Sequence, residues 1–324
     1  MAHKAPGKHY RKGMSLIEIM RMFPDDKTAE AWFVEERWGG KICCPHCGSE
    51  NVQTGSKHPR MPYRCREKEC AKMFSVKTGT VMQSSKLGYQ TWAIAIYLLT
   101  THLKGVSSMK LHRDLEITQK SAWHLAHRLR ESLGETDGQF SGPVESDETY
   151  MGGIRKNMSK AKRKQITKRG THGKTAVVGA KDRATGKVAA RVIPNTNLTT
   201  LQGFVMRHAE PGATIYTDEA SSYRGLPYWH HAVCHSVGEY VRGEIHVNGV
   251  ESFWSGLKRA HKGTFHKISP KHLNRYVQEF AGKHNLRELD TLAQMRDMVA
   301  RMVGKRLKYR DLIRDNGLDS TARA

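Results

Sequence analysis

Apolar positions recur at helical spacing in Leu16, Ile17, Met20, Met22 and Phe23, stop at Pro24, Asp25 and Asp26, and resume around Ala29 to Arg37. Two short helices are predicted there. From Gly39 to Phe74 the pattern dissolves into Gly, Pro, Cys and basic residues, with too few apolar side chains for a core. Helical periodicity returns from Tyr89 to Leu103, and Ser107 to Leu115 followed by Thr118 to Ser132 reads as two more helices about a tight break at Glu116 and Ile117. Beyond Gly134 the period becomes that of strands: Val144 to Met151, Thr175 to Lys181 and Lys187 to Ile193, the last two joined by a turn from Asp182 to Gly186. A helix over Leu198 to His208, a strand over Thr214 to Thr217, a short helix near Ser221, a strand near His231 to His235 and a long helix from Asn248 complete the pattern.

Three antiparallel strands, a helix, then alternating strands and helices is the order of an RNase H-like α/β sheet, and it occupies residues 140–290. The helices between 86 and 134 suit a helix-turn-helix and an ordinary helical hairpin equally. If the former, the second helix offers Lys120, His124, His127, Arg128 and Arg130 to a groove or its phosphates.

Charge narrows the partners. The 324 residues hold 54 Lys and Arg against 31 Asp and Glu, a net +23 that attracts polyanions, so nucleic acid is the leading partner and a generally basic protein the plainer alternative. The segment from Arg155 to Lys174 has nine basic residues in twenty and no acidic one, and reads as a flexible DNA contact more readily than as a solvated loop tip. The longest apolar run, Trp92 to Leu99, is far short of a bilayer span, and Met1 to Gly13 lacks the apolar centre of a secretory signal. The expected location is a reducing cytoplasm, where cysteines serve as thiols or metal ligands.

Cys44 and Cys47 form CPHC before Gly48, and Cys65 and Cys70 form CREKEC 17 residues further on. Two such pairs on two turns converge on one tetrahedral Zn²⁺, whose binding replaces the missing core. Four thiolates leave no open position, so the zinc is structural. Cys43 adjoins Cys44 but lies outside the CxxC spacing; His46 and His58 read as surface residues or phosphate contacts, and Cys234 as a small buried residue in a strand.

Beyond Gly142 three acidic segments stand out. Asp147 lies inside the first strand, Asp218 ends the apolar strand Ile215-Tyr216-Thr217, and Glu251 lies on the helix from Asn248. A carboxylate in a strand interior is costly without a partner or cation. On that helix Val250, Phe253, Trp254 and Leu257 share one face, and Asn248, Glu251, Ser255 and Lys258 another, which can look toward Asp147 and Asp218. Carboxylates suit hard cations, and two Mg²⁺ (or Mn²⁺) about 4 Å apart can activate a hydroxyl and stabilise the leaving 3′ oxygen of a phosphodiester. Glu148 and Glu219 are expected on the opposite side of a strand or in solvent, Tyr150 and Trp254 in packing, and Lys258 on a phosphate.

Asp147 in SDETYMGG, Asp218 in YTDEASSY, and Glu251 with Lys258 in HVNGVESFWSGLKR resemble the signature of the DDE transposases of bacterial insertion sequences, in particular the ISXO-type group with its N-terminal zinc ribbon. The phrase FSVKTGTVMQSSKLGYQTW is also similar to that group, and the likeness runs from about residue 15 to about residue 290. The 32 residues between Asp218 and Glu251 are close to the interval usual in such enzymes. Some members are described with Asn as third catalytic residue; Glu251 is preferred to Asn248 here because a carboxylate offsets Mg²⁺ charge, and Asn248, three residues away on the same face, stays open as the catalytic ligand or as a DNA contact. The resemblance implies strand cleavage and strand transfer by 3′-hydroxyl attack, double-stranded DNA as partner in the form of terminal inverted repeats and target DNA, a homo-oligomer on DNA, and a nucleoid-associated location. An inactive zinc-ribbon regulator and an RNase H-like nuclease or resolvase are the alternatives. The expected organisation is α+β and multidomain: a helical lead-in (1–38), a zinc ribbon (39–80), a helical DNA-binding region (86–134), an RNase H-like catalytic domain (140–290) with a basic insertion (155–174), and a basic C-terminal helix and tail (291–324) that frays from Arg306.

Overall fold

The computed structural model describes residues 13–134, 138–153, 158–165, 170–171, 173–233, 241–318 and 320. They fall into two compact units, one of residues 1–133 and 286–314, the other of residues 134–285 and 315–324. No described helix is long and apolar enough to cross a membrane.

In the first unit, α1 (Leu16–Met22) opens on a capping box: the Ser15 hydroxyl accepts the Glu18 N–H and the Glu18 carboxylate accepts the Ser15 N–H. Asp25 caps α2 (Asp26–Trp38) through the Thr28 N–H, and Gly39 ends it in the left-handed conformation. Three short antiparallel strands follow, β1 (Val52–Gln53), β2 (Tyr63–Cys65) and β3 (Met73–Phe74). Then come α3 (Tyr89–Thr101), α4 (Ser108–Asp114) and α5 (Gln119–Leu133), with Glu116 taking a left-handed φ of 52° at the break between the last two.

The second unit is built on five strands. β4 (Val144–Met151) is followed by α6 (Lys160–Gln165), β5 (Thr175–Asp182), β6 (Val188–Ile193), α7 (Leu198–His208), β7 (Thr214–Thr217) and β8 (Trp229–Ala232). α8 (Asn248–Ala260), which passes into a π-turn at His261–Phe265, and α9 (Pro270–Leu286) end it. The sheet order is β6-β5-β4-β7-β8, antiparallel across the first three strands and parallel from β4 to β7 to β8. β8 begins earlier than the expected His231, and Cys234 lies outside the described residues.

Both sheet faces are covered, which explains the nearly continuous apolar run of β5. Val177 joins Val250, Phe253, Trp254 and Leu257 of α8 and Leu273 and Val277 of α9 on one face. Its neighbour Val178 joins Leu201, Phe204 and Val205 of α7 on the other.

The chain then returns to the first unit. α10 (Thr291–Met302) places Met295, Met298 and Met302 in a core with Ile19, Phe33, Trp92, Ile96, Leu99, Leu125 and Leu129. The tail expected to fray from Arg306 is packed further: Leu307 and, in α11 (Tyr309–Ile313), Leu312 are buried, while residues 319 and 321–324 lie outside the described residues. This strap also alters the reading of α5. Its His124 Nε2 and Arg128 Nε each lie 3.2 Å from the Leu307 carbonyl, the Lys120 ammonium sits 4.6 Å over the Tyr309 ring, and His127, Arg128 and Arg130 are buried. Most of the basic residues expected to meet a groove therefore pack inward.

Candidate active site

Asp147 occupies the middle of β4, opposite Gly179 of β5. A side chain at Gly179 would strike the Trp254 ring, for an added Cβ would lie 2.7 Å from it, so the glycine lets the indole lie across the strand. From there Trp254 Nε1 donates to Asp147 Oδ2 at 3.0 Å. Trp254 is 3% exposed and packs as expected, but it also orients a candidate ligand, which spacing alone does not show.

β7 runs parallel to β4 with Val144 beside Ile215 and Glu145 beside Tyr216. Continuing that register brings Asp218, just past the strand end, alongside Asp147. The Asp218 carboxylate accepts the Ala220 N–H at 3.1 Å, and the Thr217 hydroxyl donates to the Asp218 carbonyl at 2.7 Å. On α8 the face read from the sequence holds: Val250, Phe253, Trp254 and Leu257 are buried, and Asn248, Glu251, Ser255 and Lys258 are exposed or nearly so.

β4 and α8, with Lys262 of the π-turn, border a cleft of about 400 Å³ lined by Asp147, Glu148, Thr149, Glu251, Trp254, Ser255, Lys258, Arg259 and Lys262. Glu251 and Lys258 thus share a cleft with Asp147, whereas Asn248 and Asp218 are not among its lining residues. Glu148 departs from expectation: it is half-buried in the cleft wall, and its carboxylate accepts the buried Tyr223 hydroxyl at 3.1 Å. Glu219 is exposed. Burial, then the charges of Asp218, Glu148 and Glu251, push the Asp147 carboxyl up to about 7. Burial and Asp218 raise Glu148 as well. Crowded hard oxygen donors of this kind fit divalent cations such as Mg²⁺.

The raised Asp147 carboxyl has a stability consequence. A carboxyl whose folded-state value lies above its usual 3.8 contributes its full share of stability below 3.8 and loses it as pH rises toward about 7. That interval, at about 1.4 kcal/mol per unit, is on the order of 4 kcal/mol. Asp147→Asn is therefore expected to melt higher than wild type at pH 8 without added Mg²⁺, with the gap closing toward pH 4. Equal melting temperatures at pH 8 would contradict it.

In the first unit, Cys44, Cys47, Cys65 and Cys70 bring their sulfurs within 4.8 Å of one another. Cys44 and Cys70 are 3.7 Å apart and Cys47 and Cys65 3.6 Å, close to the roughly 3.8 Å edge of a tetrahedron with 2.3 Å Zn–S bonds. Four sulfurs at this spacing suit one tetrahedral structural zinc. Gly48, at φ 79°, returns its N–H to the Cys44 carbonyl at 2.8 Å, closing the first knuckle. The wider CxxxxC pair closes because the Cys70 and Ala71 N–H groups both donate to the Glu67 carbonyl, with Ala71 at φ 46°. Cys43 stands outside the cluster, and His46 and His58 are exposed. A small cluster of Trp38, Tyr63 and Phe74 supports the ribbon, more apolar packing than the sequence led one to expect.

Of the basic segment, residues 155–157, 166–169 and 172 lie outside the described residues; within α6, Lys160, Arg163 and Lys164 are exposed.

Comparison with known proteins agrees with this division. Residues 139–285 match the ISXO2-like transposase domain, and residues 24–73 match the transposase zinc-ribbon domain. Over 279 residues the chain is 28% identical to a protein of Halobacterium salinarum named as an uncharacterized protein in transposable element ISH50, covering 81% of this chain and 91% of that one.

Proposed function

Since the chain belongs to the ISXO2-like transposase family, we propose that it binds the ends of a DNA element and catalyses metal-dependent strand cleavage and strand transfer by 3′-hydroxyl attack. The observation that carries this reading is the approach of Asp147 on β4, Asp218 just past the end of the adjacent parallel strand, and Glu251 on α8, where β7 stops beside β4. Three antiparallel strands continued by two parallel ones support an RNase H-like reading of the second unit.

Asp147, Asp218 and Glu251 are the residues that would hold a pair of divalent cations, Mg²⁺ or Mn²⁺, which when bound activate the attacking hydroxyl and stabilise the leaving oxygen. Trp254 fixes the direction of the Asp147 carboxylate. Lys258, with Arg259 and Lys262 on the same wall, steadies the phosphates of the scissile strand. Glu251 is preferred over Asn248 as third ligand because its charge, like that of Asp218, acts on Asp147 and it lines the same cleft; Asn248, exposed at the start of α8, is assigned to DNA contact. Terminal inverted repeats and target DNA are the partners of this reading, with two or more copies of the chain needed to hold two ends, in the cytoplasm at the nucleoid.

The test is incubation of the purified full chain with Mg²⁺ and a duplex bearing the element's own ends. Nicks at those ends followed by joined products are expected. Nicks without joining would make the protein a nuclease or resolvase, and binding without nicks a regulator.

Affinity for that duplex is expected to fall steeply with salt, by about 0.9 in log–log slope for each phosphate neutralised. Replacing Lys160, Arg163 and Lys164 with Gln should flatten the slope in proportion to the number of phosphates these side chains neutralise. An unchanged slope would reduce α6 to a solvated face.

A further inference from the structure

The start of α8 has no cap of its own: Val247 at the N-cap position offers no side-chain hydrogen bond. The carboxylate of Glu145, 105 residues earlier, accepts the Val250 N–H instead, at 2.9 Å. Glu145 lies on β4 two residues before Asp147 and on the same face of the strand, and it is 2% exposed. Its second oxygen accepts from Arg183 Nε at 2.7 Å.

Arg183 binds the approach to the helix as well. It donates to the Glu244 carbonyl at 2.6 Å and the His246 carbonyl at 2.7 Å, lies 2.8 Å from His246 Nδ1, and stacks over Tyr216 at 4.4 Å. Gly249 completes the joint. A Cβ there would come within 2.7 Å of Glu145 Oε2 and 2.9 Å of Lys181 Nζ, and Lys181 itself reaches the Gly249 carbonyl at 3.4 Å.

A helix start that needs only stability is satisfied by a Ser or Asp at its own N-cap, without burying a charge. Drawing the cap from the strand that carries Asp147 does something a local cap does not. It ties the first turn of α8 to the strand position two residues from Asp147, and Glu251 follows Val250 by one residue. We propose that Glu145, held by Arg183, is a positioning residue that sets Glu251 against Asp147. The inference rests on the metal-dependent reading of that site.

The experiment uses the full-length protein and measures single-turnover cleavage against Mg²⁺ concentration, DNA affinity, and hydrogen exchange of the Val250 and Glu251 amides. Glu145→Ala is expected to raise the Mg²⁺ concentration for half-maximal cleavage at least about tenfold, as loss of a group that orients a metal ligand does. DNA affinity should stay within about twofold of wild type, and the two amides should exchange at least about tenfold faster. Glu145→Gln, which keeps an acceptor oxygen, should recover part of both effects. Gly249→Ala leaves Glu145 and Arg183 in place, wedges them apart from the helix, and covers the case in which Glu145→Ala does not fold; the same shift in Mg²⁺ requirement is expected. An unchanged Mg²⁺ requirement in either folded variant overturns the proposal. So does a requirement that rises only in step with lost DNA affinity, or one that Glu145→Gln does nothing to restore. If wild type itself neither cuts nor joins, it is the transposase reading that fails, and the amide exchange then decides alone whether Glu145 holds the helix.

Discussion

Alanine at Asp147, Asp218 or Glu251 is expected to lower strand cleavage and joining by about a thousandfold or more, with DNA affinity within about twofold of wild type. A carboxylate that ligates a catalytic cation supports several kcal/mol of transition-state charge stabilisation, and each 1.36 kcal/mol is tenfold in rate. Affinity has another source, because a chain of net charge +23 binds DNA mainly through phosphates met by Lys and Arg. Removing one anion leaves that attraction intact. Asn248→Ala is the control: it shares the exposed side of α8 with Glu251 but lies outside the cleft, so its chemistry should change far less. Loss of joining in Asn248→Ala with near-normal activity in Glu251→Ala would exchange their roles. Activity in all three carboxylate variants would end the two-metal reading.

The pattern of apolar residues carried much of this arrangement. β4, α7 and β7 begin and end where their periodicity does, and the two faces of α8 divide as a 3.6-residue period requires. Such signals are local, so each is visible in a window of a dozen residues. What escaped is non-local. The Glu145 cap joins residues 105 apart, and the strap over α5 comes from 183 residues downstream, so neither leaves a mark on the pattern around it. Glu148 escaped for a different reason. Alternation along β4 predicts which face it takes, but β7 ends at Thr217, leaving the strand uncovered beside residues 147–149 so that neighbours on both faces reach the cleft. Arg128 and Arg130 show the limit of reading charge as surface. Their burial depends on what the returning chain covers, and composition holds no information about that.

Withdrawing zinc is expected to unfold the ribbon while sparing the helical core of the same unit. The cluster around Cys44, Cys65 and Phe74 is small and distinct from the larger one joining Ile19, Trp92, Leu125 and Met298, with Trp38 packed against both. Zinc bound by four thiolates supplies on the order of 10 kcal/mol of binding energy, far more than three short strands and a few aromatic rings can replace. Cys44→Ser breaks the first knuckle at its buried member and should release the metal. The expected readings are about one zinc per wild-type chain and none in the variant. Proteolysis should begin between Gly39 and Phe74 in the variant, and the helical circular dichroism should hardly change. Cys43→Ser is the matched control, because Cys43 lies one residue away and outside the cluster, and it should keep its zinc. Zinc retained by Cys44→Ser, or lost from Cys43→Ser, would reassign the ligands. A folded, protease-resistant ribbon in a zinc-free wild-type chain would show that the aromatic cluster suffices without metal.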